Sequence, residues 1–114
     1  MALMAIGTAA AAEPQLIMVE QPGCAYCAAW DDEIAPVYDN TEEGAYAPLQ
    51  RAQLREGAPE GIEYDRPVRF TPTFVLVDEG RELARIEGYP GEHFFFPLLD
   101  ELLTEHTDFT GEPS

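Results

Sequence analysis

Two cysteines, Cys24 and Cys27, stand in the stretch QPGCAYCAAW, residues 21–30, and no others occur in the 114-residue chain. In this spacing they fit three chemistries: a redox-active dithiol, half of a metal site, or a small structural crosslink. A structural zinc site needs four nitrogen or sulfur ligands. The remaining candidates, His93 and His106, lie far away, one beside a phenylalanine run and one in the tail. Copper held by two thiolates and one distant imidazole has equally weak support, so no metal is expected. A crosslink closing so small a loop removes little chain entropy, on the order of 2 kcal/mol. Redox chemistry fits the local physics better.

That physics is the start of a helix. Cys27, Trp30, Ile34 and Val37 recur at three- and four-residue steps, with Asp31, Asp32 and Glu33 on the other face. Cys24 then falls at the first turn, where the unpaired N–H groups of Tyr26 and Cys27 point at its sulfur. Together with the helix dipole they stabilise a thiolate. Cys27 comes round to the same face one turn deeper, buried and less ionised. Cys24 is therefore the expected attacking thiol and Cys27 the resolving one. The chain carries 6 Lys+Arg against 22 Asp+Glu, a net charge of −16. This field opposes a second anion, but it is spread out and screened by salt, so the local amides dominate. The same acidity argues against nucleic acid and anionic membranes as partners and otherwise reads as a solvated surface.

The elements that position the pair follow from pattern. Leu16–Val19 reads as a buried strand ended by the turn Gln21-Pro22-Gly23. Pro36 should kink the first helix. Asn40-Thr41-Glu42-Glu43 reads as a cap opening a second, very short helix, which Gly44 weakens. Residues 47–54 alternate loosely as a second strand, and 55–67 read as loop with a helical turn. Thr73–Asp78 is the strongest strand signal, and the turn Asp78-Glu79-Gly80-Arg81 joins it to a hairpin partner over 82–89. Gly91, suited to a positive φ, opens a terminal helix carrying Phe95, Leu98, Leu99, Leu102 and Leu103. One α/β domain over 13–104 is expected, a mixed four-stranded sheet with helices on both faces, followed by a polar tail over 105–114. Residues 1–12, MALMAIGTAAAA, resemble the back half of a secretory signal with a small-residue cleavage site after Ala12, which implies export to the periplasm. An ordered N-terminal helix is the alternative.

A strand, then P-G-C-x-x-C opening a kinked helix, then Thr71-Pro72 ahead of a strand, together resemble the thioredoxin superfamily. More narrowly, EQPGCAYC, RFTPTFVLVD and RIEGYPGE are similar to periplasmic thioredoxins of bacterial sulfur-oxidation (Sox) clusters, the SoxS type. The likeness spans Gln15 to Leu103 and implies a thioredoxin-like fold with Cys24 as nucleophile and Cys27 resolving. It further implies that Thr71 offers its backbone to a client peptide, and that Pro72 is cis and leaves its loop no N–H beside the sulfurs, excluding metal. Tyr26 occupies the place of the glutaredoxin tyrosine, and with Thr71 and Pro72 makes the expected substrate-binding set.

Two departures stand out. The family's buried Asp of the first strand is replaced by Met18, and Glu20, on the same strand parity, is the substitute proton shuttle. No histidine sits between the cysteines, so the expected potential is reducing to middling, within roughly −270 to −120 mV. The function implied is a thiol–disulfide oxidoreductase with no cofactor. It would reduce a disulfide-bearing client, such as a Sox carrier protein, and be recharged by a membrane thiol transporter. A redox-sensing binding module and a glutathione-linked, glutaredoxin-like reductase are the alternatives. The chain lacks an evident cationic patch for glutathione carboxylates.

Overall fold

The computed structural model of the protein describes residues 13–110; the expected signal remnant at 1–12 lies outside them. The sheet is built from β1 (Gln15–Glu20), β2 (Leu49–Gln53), β3 (Thr73–Asp78) and β4 (Arg81–Glu87) in the order β2-β1-β3-β4. β1 runs parallel to β2 and antiparallel to β3, and β3 is antiparallel to β4. The two central strands read as unbroken apolar runs because both their faces are covered. Leu16, Met18, Phe74 and Leu76 enter one core, and Ile17, Val19, Val75 and Val77 enter another. The hairpin β3–β4 turns at Glu79 (φ 55°) and Gly80 (φ 80°). Two positive-φ residues in a two-residue turn match the twist of the flanking strands.

The first face is covered by α1 (Ala25–Glu33), α2 (Ala35–Tyr38) and α4 (Glu92–His106). Trp30 is fully buried at its centre, 5.3 Å from Phe74, 5.7 Å from Phe95 and 6.1 Å from Tyr38 between ring centroids. Pro36 does more than kink the helix. It lies in the first turn of α2, where it needs no N–H partner, and the chain restarts there after Ile34. The restart resets the helical phase. Val37, expected on the buried stripe, is 47% exposed, and Tyr38 takes its place in the core, donating its hydroxyl to the Ala47 carbonyl at 2.7 Å.

Gly44 in α3 (Glu42–Tyr46) is likewise more than a weak helix residue. Thr41 caps this helix, its Oγ1 accepting from the Gly44 N–H at 2.9 Å. A Cβ on Gly44 would collide with the Tyr38 carbonyl. Only glycine lets α3 pack so closely on α2.

The second face departs from the expectation of helices on both sides. Among the described residues no α-helix covers it. Leu54, Ile62, Tyr64 and Val68 do so, from an irregular segment whose sole helical piece is a 3-10 turn over Leu54–Glu56. Gly57, Pro59, Gly61 and Pro67 stop a helix from propagating there. The segment is pinned by Arg85 of β4, whose side chain is 4% exposed. It grips Glu82 at 2.7 and 2.9 Å and donates to the carbonyls of Arg66 (2.7 Å) and Pro67 (3.3 Å). Glu82 in turn accepts from the Asp65 N–H at 2.7 Å. Burial would raise the Glu82 pKa, but the hydrogen bonds from Arg85 and Asp65 outweigh it and hold the carboxyl below the ordinary glutamate range.

The ordered fold also runs past the boundary expected at residue 104. α4 continues to His106, Thr107 donates its hydroxyl back to Leu103 at 2.6 Å, and Phe109 packs on Tyr46 with ring centroids 5.1 Å apart. Phe109 is the apolar anchor hidden in an otherwise polar tail.

Two stability predictions follow from these contacts. An alanine in a helix is ordinarily favoured over glycine by about 1 kcal/mol. Gly44→Ala should instead destabilise the protein by about 1–3 kcal/mol, as overpacking does. Chemical denaturation measures this, and an unchanged or raised midpoint would contradict the packing. The second concerns Asp100 of α4. Burial, then a hydrogen bond and charge from Glu43 of α3, then Glu42, push its carboxyl from 3.8 up to about 7. The folded chain thus holds a proton that the unfolded chain has released. This contribution is complete below the unfolded value and is lost as pH rises through about 7. Asp100→Asn, neutral throughout, should flatten the fall in unfolding temperature between about pH 4 and 8 and raise it at the alkaline end. Parallel curves for the two proteins would count against it.

Candidate active site

The site is assembled by strand register. Val19 of β1 lies opposite Thr73 of β3, and Thr73 lies opposite Glu87 of β4. The chain therefore leaves β1 towards the cysteines at the sheet end where it enters β3 from Thr71-Pro72. The same end receives residues 88–91 as they leave β4. A backbone bond from Gly88 N–H to the Pro72 carbonyl (2.8 Å) ties two of these loops together.

Gly23, at φ 80°, turns the chain from strand to helix in a conformation that suits glycine. Cys24 then becomes the N-cap of α1, in extended conformation, and its sulfur accepts from the Cys27 N–H at 3.1 Å. This is the helix-start geometry expected from the sequence, with the Cys27 amide making the contact. Cys24 and Cys27 are joined as a disulfide with Cα atoms 5.2 Å apart. Cys27 is 4% exposed within the first core, whereas Cys24 is half-buried at its margin. The two sulfurs thus differ in access and in their amide surroundings, which is what an entering and a resolving thiol require.

The Thr71–Pro72 peptide bond is cis, with Pro72 buried and Thr71 half-buried. Thr73 donates its hydroxyl to the Phe70 carbonyl at 2.7 Å, folding the loop tightly on itself. The Gln21 amide reaches across from the cysteine side and donates to Thr71 Oγ1 at 2.9 Å. Two aromatic side chains of these loops are open to solvent, Tyr26 at 66% and Phe70 at 57%. Segments 21–30, 70–77 and 88–91 contain no charged side chain, in a chain where 25% of residues are charged. These stretches form a neutral island on an acidic protein, edged by the Glu33 carboxylate, which accepts from the Tyr89 hydroxyl at 2.6 Å.

Below it, Met18 is fully buried where a carboxylate was the familiar alternative. Glu20 shares its strand parity, but its carboxylate is engaged by Arg51 of β2, at 3.2 and 3.3 Å. The same guanidinium bonds Asp31 of α1 at 3.0 Å, contacts Met18 Sδ at 3.8 Å and lies 5.9 Å from the Trp30 ring centroid. Arg51 thus joins β1, β2 and α1 around the edge of the core. Sequence reasoning missed it, although the parallel register Met18–Arg51 explains the meeting. It also missed Gln21, read only as part of a turn. Of the residues expected to act, Cys24, Thr71 and Pro72 lie in the loops that converge at one sheet end and Tyr26 and Cys27 in the first turn of α1 there, while Glu20 is directed to an ion pair.

Comparison with known proteins agrees with this geometry. Residues 4–103 match the family described as a thioredoxin-like domain. The periplasmic thioredoxin SoxS of Paracoccus pantotrophus, in its reduced form, is 57% identical, covering 82% of this chain and 98% of its own, with a TM-score of 0.79. A thioredoxin-fold protein from Helicobacter pylori shares the fold at 16% identity and a TM-score of 0.63, over 89% of this chain and 75% of its own. Malassezia sympodialis thioredoxin does so at 20% identity and a TM-score of 0.53, over 83% and 76%. No curated protein matches the chain in sequence.

The difference in access between the sulfurs is measurable. After reduction, brief alkylation at neutral pH should label Cys24 at least tenfold faster than Cys27, as peptide mapping would read it, because only ionised, accessible thiols react quickly. Equal labelling would show that the helix start does not distinguish them.

Proposed function

The chain belongs to the thioredoxin-like family and is a thiol–disulfide oxidoreductase, and from that premise we propose that it works in the periplasm as a reductase of a partner protein's disulfide in sulfur oxidation. The observation that carries this is the Cys24–Cys27 disulfide at a helix start, in a chain 57% identical to a periplasmic thioredoxin over nearly all of that protein's length.

In this reading a two-electron donor first reduces the disulfide; a thiol transporter in the membrane would supply those electrons. The Cys24 thiolate, held by the Cys27 N–H, attacks one sulfur of the client disulfide. A mixed disulfide forms, and the client's other sulfur leaves as a thiolate and takes a proton. Cys27 then loses its proton, to Glu20 or to water, and attacks Cys24. The client's second sulfur is released as a thiol, and the Cys24–Cys27 bond is restored. Thr71 offers its backbone to an extended client segment, Pro72 brings no competing N–H to the sulfurs, and Tyr26 flanks the entering chain.

The neutral island adds a restriction on what enters. Removing a charge from water against these uncharged stretches costs free energy unless a partner charge meets it. The client's cysteine should therefore lie in an uncharged segment, and a Sox carrier protein is the client proposed.

Cys27→Ser leaves the attacking thiol and removes the resolving one, so it should accumulate a mixed disulfide with its client through Cys24. Capture from a periplasmic extract, with the adduct reversed by dithiothreitol and identified by mass spectrometry, tests the reading. A periplasmic protein joined through a cysteine in an uncharged segment is the expected product. Recovery of glutathione alone would favour the glutaredoxin-like route instead, and no adduct at all would defeat the proposal.

A further inference from the structure

We propose that Gln21 is a positioning residue that sets the Thr71 edge for the client strand, an inference that rests on the reductase reading above. The β1–β3 ladder ends at the pair Val19–Thr73. Beyond it, among the described residues, no backbone hydrogen bond joins residues 20–24 to residues 70–72. Yet this is where the two halves of the site must keep a fixed spacing, because the client has to reach Cys24 while its backbone lies along Thr71.

The loop's other ties do not provide that spacing. Thr73 Oγ1 to the Phe70 carbonyl (2.7 Å) is internal to the loop. Gly88 N–H to the Pro72 carbonyl (2.8 Å) fixes it to the loop that follows β4, across β3 from the strand that leads to the cysteines. The Gln21 amide, bonded to Thr71 Oγ1 at 2.9 Å, crosses from the cysteine loop to the Thr71 loop. It acts as one more rung of the ladder, made by side chains where the backbones have parted. The bond uses only the Thr71 side chain, and no backbone bond among the described residues takes its N–H or carbonyl, so both stay available for an added strand. Gln21 itself is exposed. Its amide carries one further N–H and a carbonyl oxygen beyond the bond to Thr71.

A small disulfide needs only the sulfur, whereas a peptide disulfide also needs the Thr71 edge. The clasp should therefore govern preference between the two. The test compares reduction of a mixed disulfide of uncharged ten-residue peptides with reduction of a small aromatic disulfide, both with dithiothreitol as donor. It uses wild type, Gln21→Ala, Thr71→Val and the double variant. Each single substitution should lower the preference for the peptide about three- to tenfold, the range expected for one lost hydrogen bond, and should act mainly through KM. The double variant should lose no more than either single, because both remove the same bond. Unfolding midpoints, read alongside, confirm that each variant is folded. An unchanged preference, fully additive losses, or equal effects on both substrates would overturn the inference. If wild type itself reduces neither disulfide, the reductase reading fails. If wild type reduces both and Gln21→Ala keeps the preference, the clasp alone fails.

Discussion

The register of three antiparallel strands is the constraint on which this site depends. Thr73 is shared: Val19 lies on one side of it and Glu87 on the other. That single alignment brings three loops, distant in sequence, to one end of the sheet. A slip of one residue along β3 would move Thr71-Pro72 relative to Cys24 and turn Phe74 and Leu76 from one core to the other. The same apolar alternation that buries the central strands therefore guards the geometry of the site. Packing and chemistry are fixed together.

The two faces of the sheet are held by different means. On the first, aromatic rings from α2, α4 and β3 close around Trp30 of α1, and removing water from their surfaces does the work. On the second, an irregular segment with few apolar side chains lies over Ile17, Val19, Val75 and Val77. Here Arg85 and Glu82 supply the fixed point, and the buried pair is satisfied by backbone groups of residues 65–67 as well as by each other. Both charges are compensated, the condition under which a buried ion pair is tolerated. The segment so pinned is also the one that leads into the Thr71 loop, which makes the second face a support for the first.

Much of this was legible in the sequence, for a definable reason. The cysteine spacing, the strand runs Leu16–Val19 and Thr73–Val77 and the turn Glu79-Gly80 are local signals, and each is found where its pattern places it. What escaped were consequences of contacts between distant residues. Val37 and Tyr38 exchanged places because the break at Ile34 resets the helical phase, and a period read straight through Pro36 misses that. Gly44 looked like a fault in a helix until the Tyr38 carbonyl came to lie against it. Helices were expected on both faces, yet the segment over 55–67 already read as loop, and its glycines and prolines leave the second face to it. Arg51 and Gln21 carried no motif. Their importance lies in partners 31 and 50 residues away.

The neutral island on a chain of net charge −16 has a further consequence. A dithiol enzyme can also meet itself, since one copy's thiolate can attack another copy's disulfide in an idle exchange that returns the same two species. Two copies meeting site to site here bring together bodies of the same strong charge. Salt shortens their mutual repulsion, so the encounter is slowed most at low ionic strength, while an uncharged client segment escapes it. The acidity that seemed hostile to a thiolate thus works as insulation between molecules, and leaves the sulfurs free for strangers.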